Sequence, residues 1–303
     1  MPLKKIFTVG ERATYKIAQQ VSQDLNVEAL AKIRIADAIN IERSGISNAE
    51  YTYALKAHFD VLLTRENLPV LAIEFDGPGH DKKHDDLKNS LCDRFGLPLV
   101  RVGMIHLNSK NFEDSAVHFL IHQLFCVDDF LEDFADDPYE TYDPYMLISI
   151  PGKDRQSPFA YADRWRGRLK KRFQEHLHLF ADDIRLDYAY GLLQFGVCRG
   201  AWVRDDLQVR AFCGQSVGAG KFILGTAELS FQVFGMTGLR REYFLNVSEF
   251  VMGLAAAEMY ELAIAFLEGD ASGVVHSRQI KTKIAEWENE GFKLRMCLNL
   301  PGD

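Results

Sequence analysis

Two apolar runs, KAHFDVLL (56–63) and PVLAIEF (69–75), are joined only by Thr64-Arg65-Glu66-Asn67-Leu68, and this pair constrains the chain more than any other feature. Both runs are rich in Val, Leu and Ile, and so short a connection makes them neighbouring antiparallel strands of a hairpin. Each run carries an acid among its apolar residues, Asp60 in the first and Glu74 in the second, and Asp76 follows two residues on. A carboxylate inside an apolar strand is costly unless it is paired or bound to a metal. With the turn centred on Glu66, Asp60 lies opposite Ala72 and Glu74 is its diagonal neighbour. Such diagonal pairs have Cα separations of roughly 7–8 Å. One hard cation can bridge that span, since Mg²⁺ takes oxygens at about 2.0–2.1 Å. Glu74 and Asp76 share a strand face through the two-residue period. Three carboxylates gathered on one face repel each other without a cation, which points to a metal site. The plainer alternative for Asp76-Gly77 is turn chemistry.

The surrounding pattern predicts a helix over 10–24, with Ala13, Ile17, Val21 and Leu25 at four-residue spacing, and a strand, KIRIADAI, within 30–40. Gly77-Pro78-Gly79 breaks the chain after the hairpin. A helix over 84–95 presents Leu87, Leu91 and Phe95 on one face and stops at Gly96, with Pro98 beyond. PLVRV forms another strand and 111–126 a further helix. The expected order is helix, three strands, helix, strand, helix: a small mixed sheet flanked by helices.

The chain has 303 residues and a net charge of −8, yet the acidity is local. Residues 1–127 balance to −1 and 145–303 to +1, while 128–144 carry eight acids and no Lys or Arg. Like charges repel and two prolines interrupt this stretch, so an acidic linker is expected between a first domain (1–127) and a second (145–303). The second reads as α+β of unrecognised fold: a basic helix over 161–180, several strands over 186–235, a strongly apolar helix over 248–268, then a helix and a final strand over 276–297. The apolar helix is expected in a core or a subunit interface. No apolar run is expected to approach the roughly 18 residues that a membrane-spanning helix needs, and no signal-peptide pattern opens the chain, so a cytoplasmic location is the default. The five cysteines are scattered singly, which argues against disulfides and structural zinc.

Other groups complete a candidate site. Lys88, three residues after Asp85 on the expected helix, is placed to stabilise charge on a phosphate or orient water, with Lys82 as the fallback. His80 is a candidate base, proton shuttle or phosphate contact. The plainer alternative is an Asp–Lys surface pair and a loop histidine. In the second half, Arg164, Trp165, Arg166, Arg168, Lys170, Lys171 and Arg172 suit contact with a nucleic-acid backbone and base stacking, or else a solvated face paired with the acidic linker.

The stretch HFDVLLTRENLPVLAIEFDGPGHDKKHDDLKNSLCDRFGLPLVRV resembles the PD-(D/E)XK nuclease superfamily, in particular a bacterial branch of uncharacterised domains related to very-short-patch-repair endonucleases. The matching residues are Asp60, Ile73-Glu74-Phe75-Asp76, His80, Asp85-Asp86-Leu87-Lys88 and Gly96-Leu97-Pro98-Leu99-Val100-Arg101. The resemblance covers about residues 10–125 and is strong over 56–102. It implies a restriction-endonuclease-like fold, Mg²⁺ or Mn²⁺ held by Asp60 and Glu74, with Asp76 beside them, and hydrolysis of phosphodiester bonds, most naturally of DNA in bacterial defence, restriction or repair. The superfamily places a lysine two residues after the second acid. Here that position is Asp76, so a lysine relocated to position 88 is expected. Glu11 matches an acidic position seen near such sites, although an acid at a helix start is favourable in any case. The alternative expectations are a nucleic-acid-binding module without turnover and an interaction subunit whose second domain docks on a protein partner or a second copy.

Overall fold

The computed structural model describes residues 5–77, 82–107, 115–133, 171, 197–204, 208–235, 247–298 and 300. They form a mixed α/β protein with two five-stranded sheets and, among the described residues, eight helices. Two compact units share them, one drawn from Met1–Tyr142 and Phe231–Tyr243, the other from Asp143–Ser230 and Phe244–Asp303.

The first unit opens with α1 (Val9–Leu25), whose start is fixed by a capping box: Glu11 N donates to Thr8 Oγ1 and Thr8 N to Glu11 Oε2. β1 (Glu28–Arg34) follows, starting and ending before the expected strand KIRIADAI, because its ladder to β2 (His58–Arg65) ends at Arg34↔His58 and the chain then turns into α2 (Ile35–Ala38). A second capping box, Ser47 with Glu50, starts α3 (Asn48–Ala54), an element the hydrophobic pattern did not announce. β2 and β3 (Leu68–Phe75) form the expected hairpin on a two-residue turn in which Glu66 (φ 49°) and Asn67 (φ 65°) are both left-handed, as a primed turn requires. The register differs from the expected one. Leu62 rather than Asp60 faces Ala72: the turn centres between Glu66 and Asn67, which moves the partner by one residue, and the pairing shift at Leu63/Thr64 moves it by one more.

α4 (Lys82–Phe95), β4 (Leu99–Val102), α5 (Met104–Leu107) and α6 (Ala116–Asp133) complete the run. Gly96, at φ 66°, takes the left-handed position after α4. The buried stripe of α4 is Lys88, Leu91 and Cys92, whereas Leu87 is half-buried, so the helix is turned about one residue from the expected face. The core under α4 includes Ile35, Phe59, Leu62, Ala72, Leu91 and Leu99. The sheet order is β1-β2-β3-β4-β8, antiparallel except for β3 with β4.

Its last strand corrects the linear division at 128–144. β8 (Gln232–Phe234) comes from the later part of the chain and pairs with β4 through Leu99↔Phe234, Val100↔Val233 and Arg101↔Gln232. The backbone groups on that edge of β4 are satisfied by a sequence-distant segment. The expected linker also begins too early, since residues 128–133 continue α6; the rest of it lies outside the described residues.

The second unit is an antiparallel sheet, β10-β5-β6-β7-β9, built from β5 (Val197–Arg204), β6 (Gln208–Gly218), β7 (Lys221–Ser230), β9 (Val274–His276) and β10 (Lys293–Leu298). The apolar helix is α7 (Val247–Leu267), with Val251, Ala255, Met259 and Ala263 buried. A Cβ at Gly225 of β7 would lie 2.1 Å from Ala255 O and 2.3 Å from Met259 N, so only glycine allows this approach of helix to sheet. One expectation is corrected here: Phe250–Leu267 is long and apolar enough to cross a membrane by length and composition, and its buried stripe packs on the sheet. α8 (Ser277–Asn289) contributes Ile280 and Trp287 to a core with Cys198, Trp202, Phe212 and Phe292. Of the basic segment 164–172, Lys171 alone is described, helical and exposed; the other six expected contacts lie outside the described residues.

Candidate active site

Where β2 and β3 part beyond the Val61↔Ile73 pair, side chains replace the ladder. The N–H of Asp60 donates to Glu74 Oε1 at 3.1 Å, and the N–H of Phe75 donates to Asp60 Oδ2 at 2.9 Å. Each acid therefore reaches across to the backbone of the other strand. Both are buried. The two-residue turn and the bulge-like shift at Leu63/Thr64 together produce this facing arrangement in place of the expected diagonal one.

Two lysines occupy the remaining carboxylate oxygens. Lys88 Nζ lies 2.6 Å from Glu74 Oε2 and donates to His58 O at 2.8 Å, with the Phe59 ring centroid 5.8 Å away. Lys88 is thus the lysine placed on the acid pair, while Lys82 is exposed at the start of α4. Lys32 Nζ lies 2.5 Å from Asp60 Oδ1 and 2.8 Å from Glu11 Oε1. The result is two charged groups, Glu11–Lys32–Asp60 and Glu74–Lys88, joined by backbone hydrogen bonds and together running from α1 through three strands to α4.

Burial raises the Glu74 carboxyl to about 7; Lys88 opposes the shift and Asp60 adds to it. At Lys32 burial disfavours the charge, but the bonds to Asp60 and Glu11 outweigh it and hold the ammonium above the ordinary lysine value. At Glu11 burial is likewise outweighed, by Lys32 and the Thr8 backbone bond, and its carboxyl sits below the ordinary value.

Asp76 is held elsewhere. Arg101 Nη1 lies 2.8 Å from Asp76 Oδ1 and 3.0 Å from Asp85 Oδ1, and Arg101 Nε donates to Asn89 Oδ1 at 3.0 Å. This buried arginine ties the end of β3 to the first turns of α4 on either side of Lys88. Asp76 is thus tied to Arg101, while Asp60 and Glu74 hold each other's strands. Among the described residues, no group of three or more His, Cys, Asp or Glu side chains is arranged to hold a metal ion. His80 lies outside the described residues.

Lys32 and the bracing role of Arg101 escaped the sequence reading. A faint signal for Lys32 exists, a lysine within the run ALAKIRI, but its importance depends on backbone geometry. Tyr53 also borders the site: it stacks on His84 at 5.5 Å, and burial with the nearby Glu74 and Asp85 raises its phenol well above the ordinary range.

Residues 3–114 match the model of a family described as protein of unknown function (DUF2726). No curated protein matches the chain, and no solved structure matches it.

Proposed function

We propose that the first unit is a metal-dependent nuclease that hydrolyses phosphodiester bonds, most naturally as a DNA endonuclease acting in the cytoplasm in defence, restriction or repair. The observation that carries this reading is the interlocked pair Asp60 and Glu74, buried at the parting of two strands, with Lys88 delivered to Glu74 from a separate helix. The sequence resemblance to PD-(D/E)XK nucleases supports it independently.

The donor set fits Mg²⁺ or Mn²⁺. Mg²⁺ is commonly held by one or two carboxylates with the balance made up by water, and Asp60 and Glu74 supply hard carboxylate oxygens that the ion would share with Lys32 and Lys88. Glu74 resists ionisation because burial strips its solvation, so it gains from a further positive charge. Bound there, the ion supplies an activated water and offsets charge on the scissile phosphate. Lys88 orients Glu74 and carries an ammonium beside the reacting group, where it stabilises developing negative charge. Asp76 acts as a third ligand only if Arg101 releases it. The basic segment 164–172 supplies nucleic-acid contacts in this reading.

The second reading, a nucleic-acid-binding module or interaction subunit without turnover, is favoured by one observation: Lys32 and Lys88 already pair with the two acids. One experiment separates the two. Purified protein is incubated with plasmid and with single-stranded DNA in EDTA, Mg²⁺ or Mn²⁺, beside Asp60→Asn and Glu74→Gln. Metal-dependent nicking by the unaltered protein alone selects the enzyme. Binding without cleavage, unchanged by either substitution, selects the module, and a solution mass above the monomer's adds the interaction subunit.

A further inference from the structure

We propose that Lys32 is a positioning residue that fixes the plane of the Asp60 carboxylate, with Glu11 as its anchor on α1. Its consequence for ion binding rests on the proposed role of Asp60; its structural part does not.

Three observations carry the inference. First, Lys32 has φ 56° in the middle of β1, left-handed backbone in a residue other than glycine, and it drops out of the ladder between the pairs Ala31↔Val61 and Ile33↔Phe59. Such a conformation is costly and persists only where its surroundings over-determine it. Second, the ammonium it delivers is bound at both ends, to Asp60 Oδ1 and to Glu11 Oε1. Glu11 is itself held, since its other oxygen accepts from Thr8 N in the capping box at 2.6 Å. Third, the two Asp60 oxygens have separate donors, Phe75 N on Oδ2 and Lys32 on Oδ1. The terminal torsion of an aspartate is broad and soft, so one hydrogen bond leaves the carboxylate free to turn, whereas two from different elements fix its plane. Lys32 is shared between two acids, and Asp60 therefore keeps anionic character toward a further cation. Ligand groups misplaced by a fraction of an ångström bind and react poorly, so a fixed plane has functional weight.

The test uses the full chain in EDTA and follows the Phe75 amide by hydrogen exchange. In Lys32→Met this amide exchanges about tenfold faster while Ile73 and Val61, within the ladder, stay unchanged. Lys32→Arg restores most of the protection. Glu11→Gln, which keeps the capping acceptor but loses the charge, gives a smaller increase and serves where Lys32→Met does not fold. Calorimetric titration with Mn²⁺ adds a second readout: Lys32→Met binds about tenfold more weakly. A lysine acting only as a repelling charge would give the opposite sign, tighter binding on its removal. Unchanged Phe75 exchange in the folded variants, or tighter Mn²⁺ binding, overturns the proposal. If the unaltered protein shows no Mn²⁺ binding that depends on Asp60, the nuclease reading fails, and the Phe75 exchange still decides the role of Lys32.

Discussion

Asp60 and Glu74 hold each other's strands: the N–H of Asp60 donates to the Glu74 carboxylate, and the Asp60 carboxylate in turn accepts from the residue after Glu74. The acids therefore close the open end of the hairpin, and their substitution tests chemistry and local order together. Asp60→Asn and Glu74→Gln keep hydrogen-bonding side chains of nearly the same size. Each is expected to lower metal-dependent cleavage at least a hundredfold, about 3 kcal/mol of transition-state stabilisation, with unchanged nucleic-acid affinity in EDTA. Cleavage within threefold of the parent would remove both from the chemistry.

Lys88→Met is expected to abolish cleavage to a similar extent and to destabilise the first unit by about 3 kcal/mol, because it strips a buried carboxylate of its partner. Lys88→Met combined with Glu74→Gln recovers much of that stability but no activity. Full additivity of the two stability losses in denaturant titrations would show that the pair at 2.6 Å is not coupled.

The pH dependence of stability follows from Glu74. Its carboxyl is raised by burial from 4.5 to about 7 in the folded chain, so the fold binds this proton more tightly than the unfolded chain does. The stabilisation from protonated Glu74 is fully present below pH 4.5 and is lost as pH rises through about 7. Against Glu74→Gln in EDTA, the parent is expected to lose roughly 2–4 kcal/mol across that window. Parallel stability curves for the two proteins would contradict the raised value.

Arg101 is buried and bridges Asp76, Asp85 and Asn89. Arg101→Lys retains the charge but cannot present the same fork of donors. It is expected to cost about 2 kcal/mol and to depress turnover more than substrate affinity, because α4 no longer holds Lys88 firmly. A loss confined to KM would assign Arg101 to substrate contact instead.

The hairpin turn offers a test of the register. Glu66 and Asn67 both have positive φ, and Asn-Gly is the sequence best suited to such a turn. Replacing Glu66-Asn67 with Asn-Gly relieves the left-handed strain and is expected to stabilise the protein by about 1 kcal/mol. A loss of stability would argue against the two-residue turn and the pairing built on it.

The sequence was legible wherever local patterns decide structure. The hairpin declares itself through its Val, Leu and Ile runs, α1 through its four-residue stripe, and the end of α4 through Gly96. The candidate acids were visible because Asp60 and Glu74 interrupt apolar runs. What escaped notice depends on non-local geometry. The shift at Leu63/Thr64 is invisible in composition, yet together with the two-residue turn it moves Asp60 from Ala72 to the level of Glu74. Lys88 displaced Leu87 from the buried stripe because an ion pair with Glu74 rewards burying a lysine there, which periodicity alone disfavours. Lys32, level with Asp60 in the ladder, has a left-handed backbone that no local pattern announces. The pairing of Gln232–Phe234 with Leu99–Arg101 had no local signature at all.

That pairing has a consequence for how the protein is made. On the ribosome, Arg101 emerges long before Gln232, and at about 5–20 residues per second the wait is on the order of ten seconds. Throughout it, one flank of the nascent sheet offers uncapped amide and carbonyl groups to any passing strand. Biosynthesis thus includes an interval in which nearly all the acidic centre has been translated but its border is unsealed, and a gene fragment ending soon after α6 would make that interval permanent.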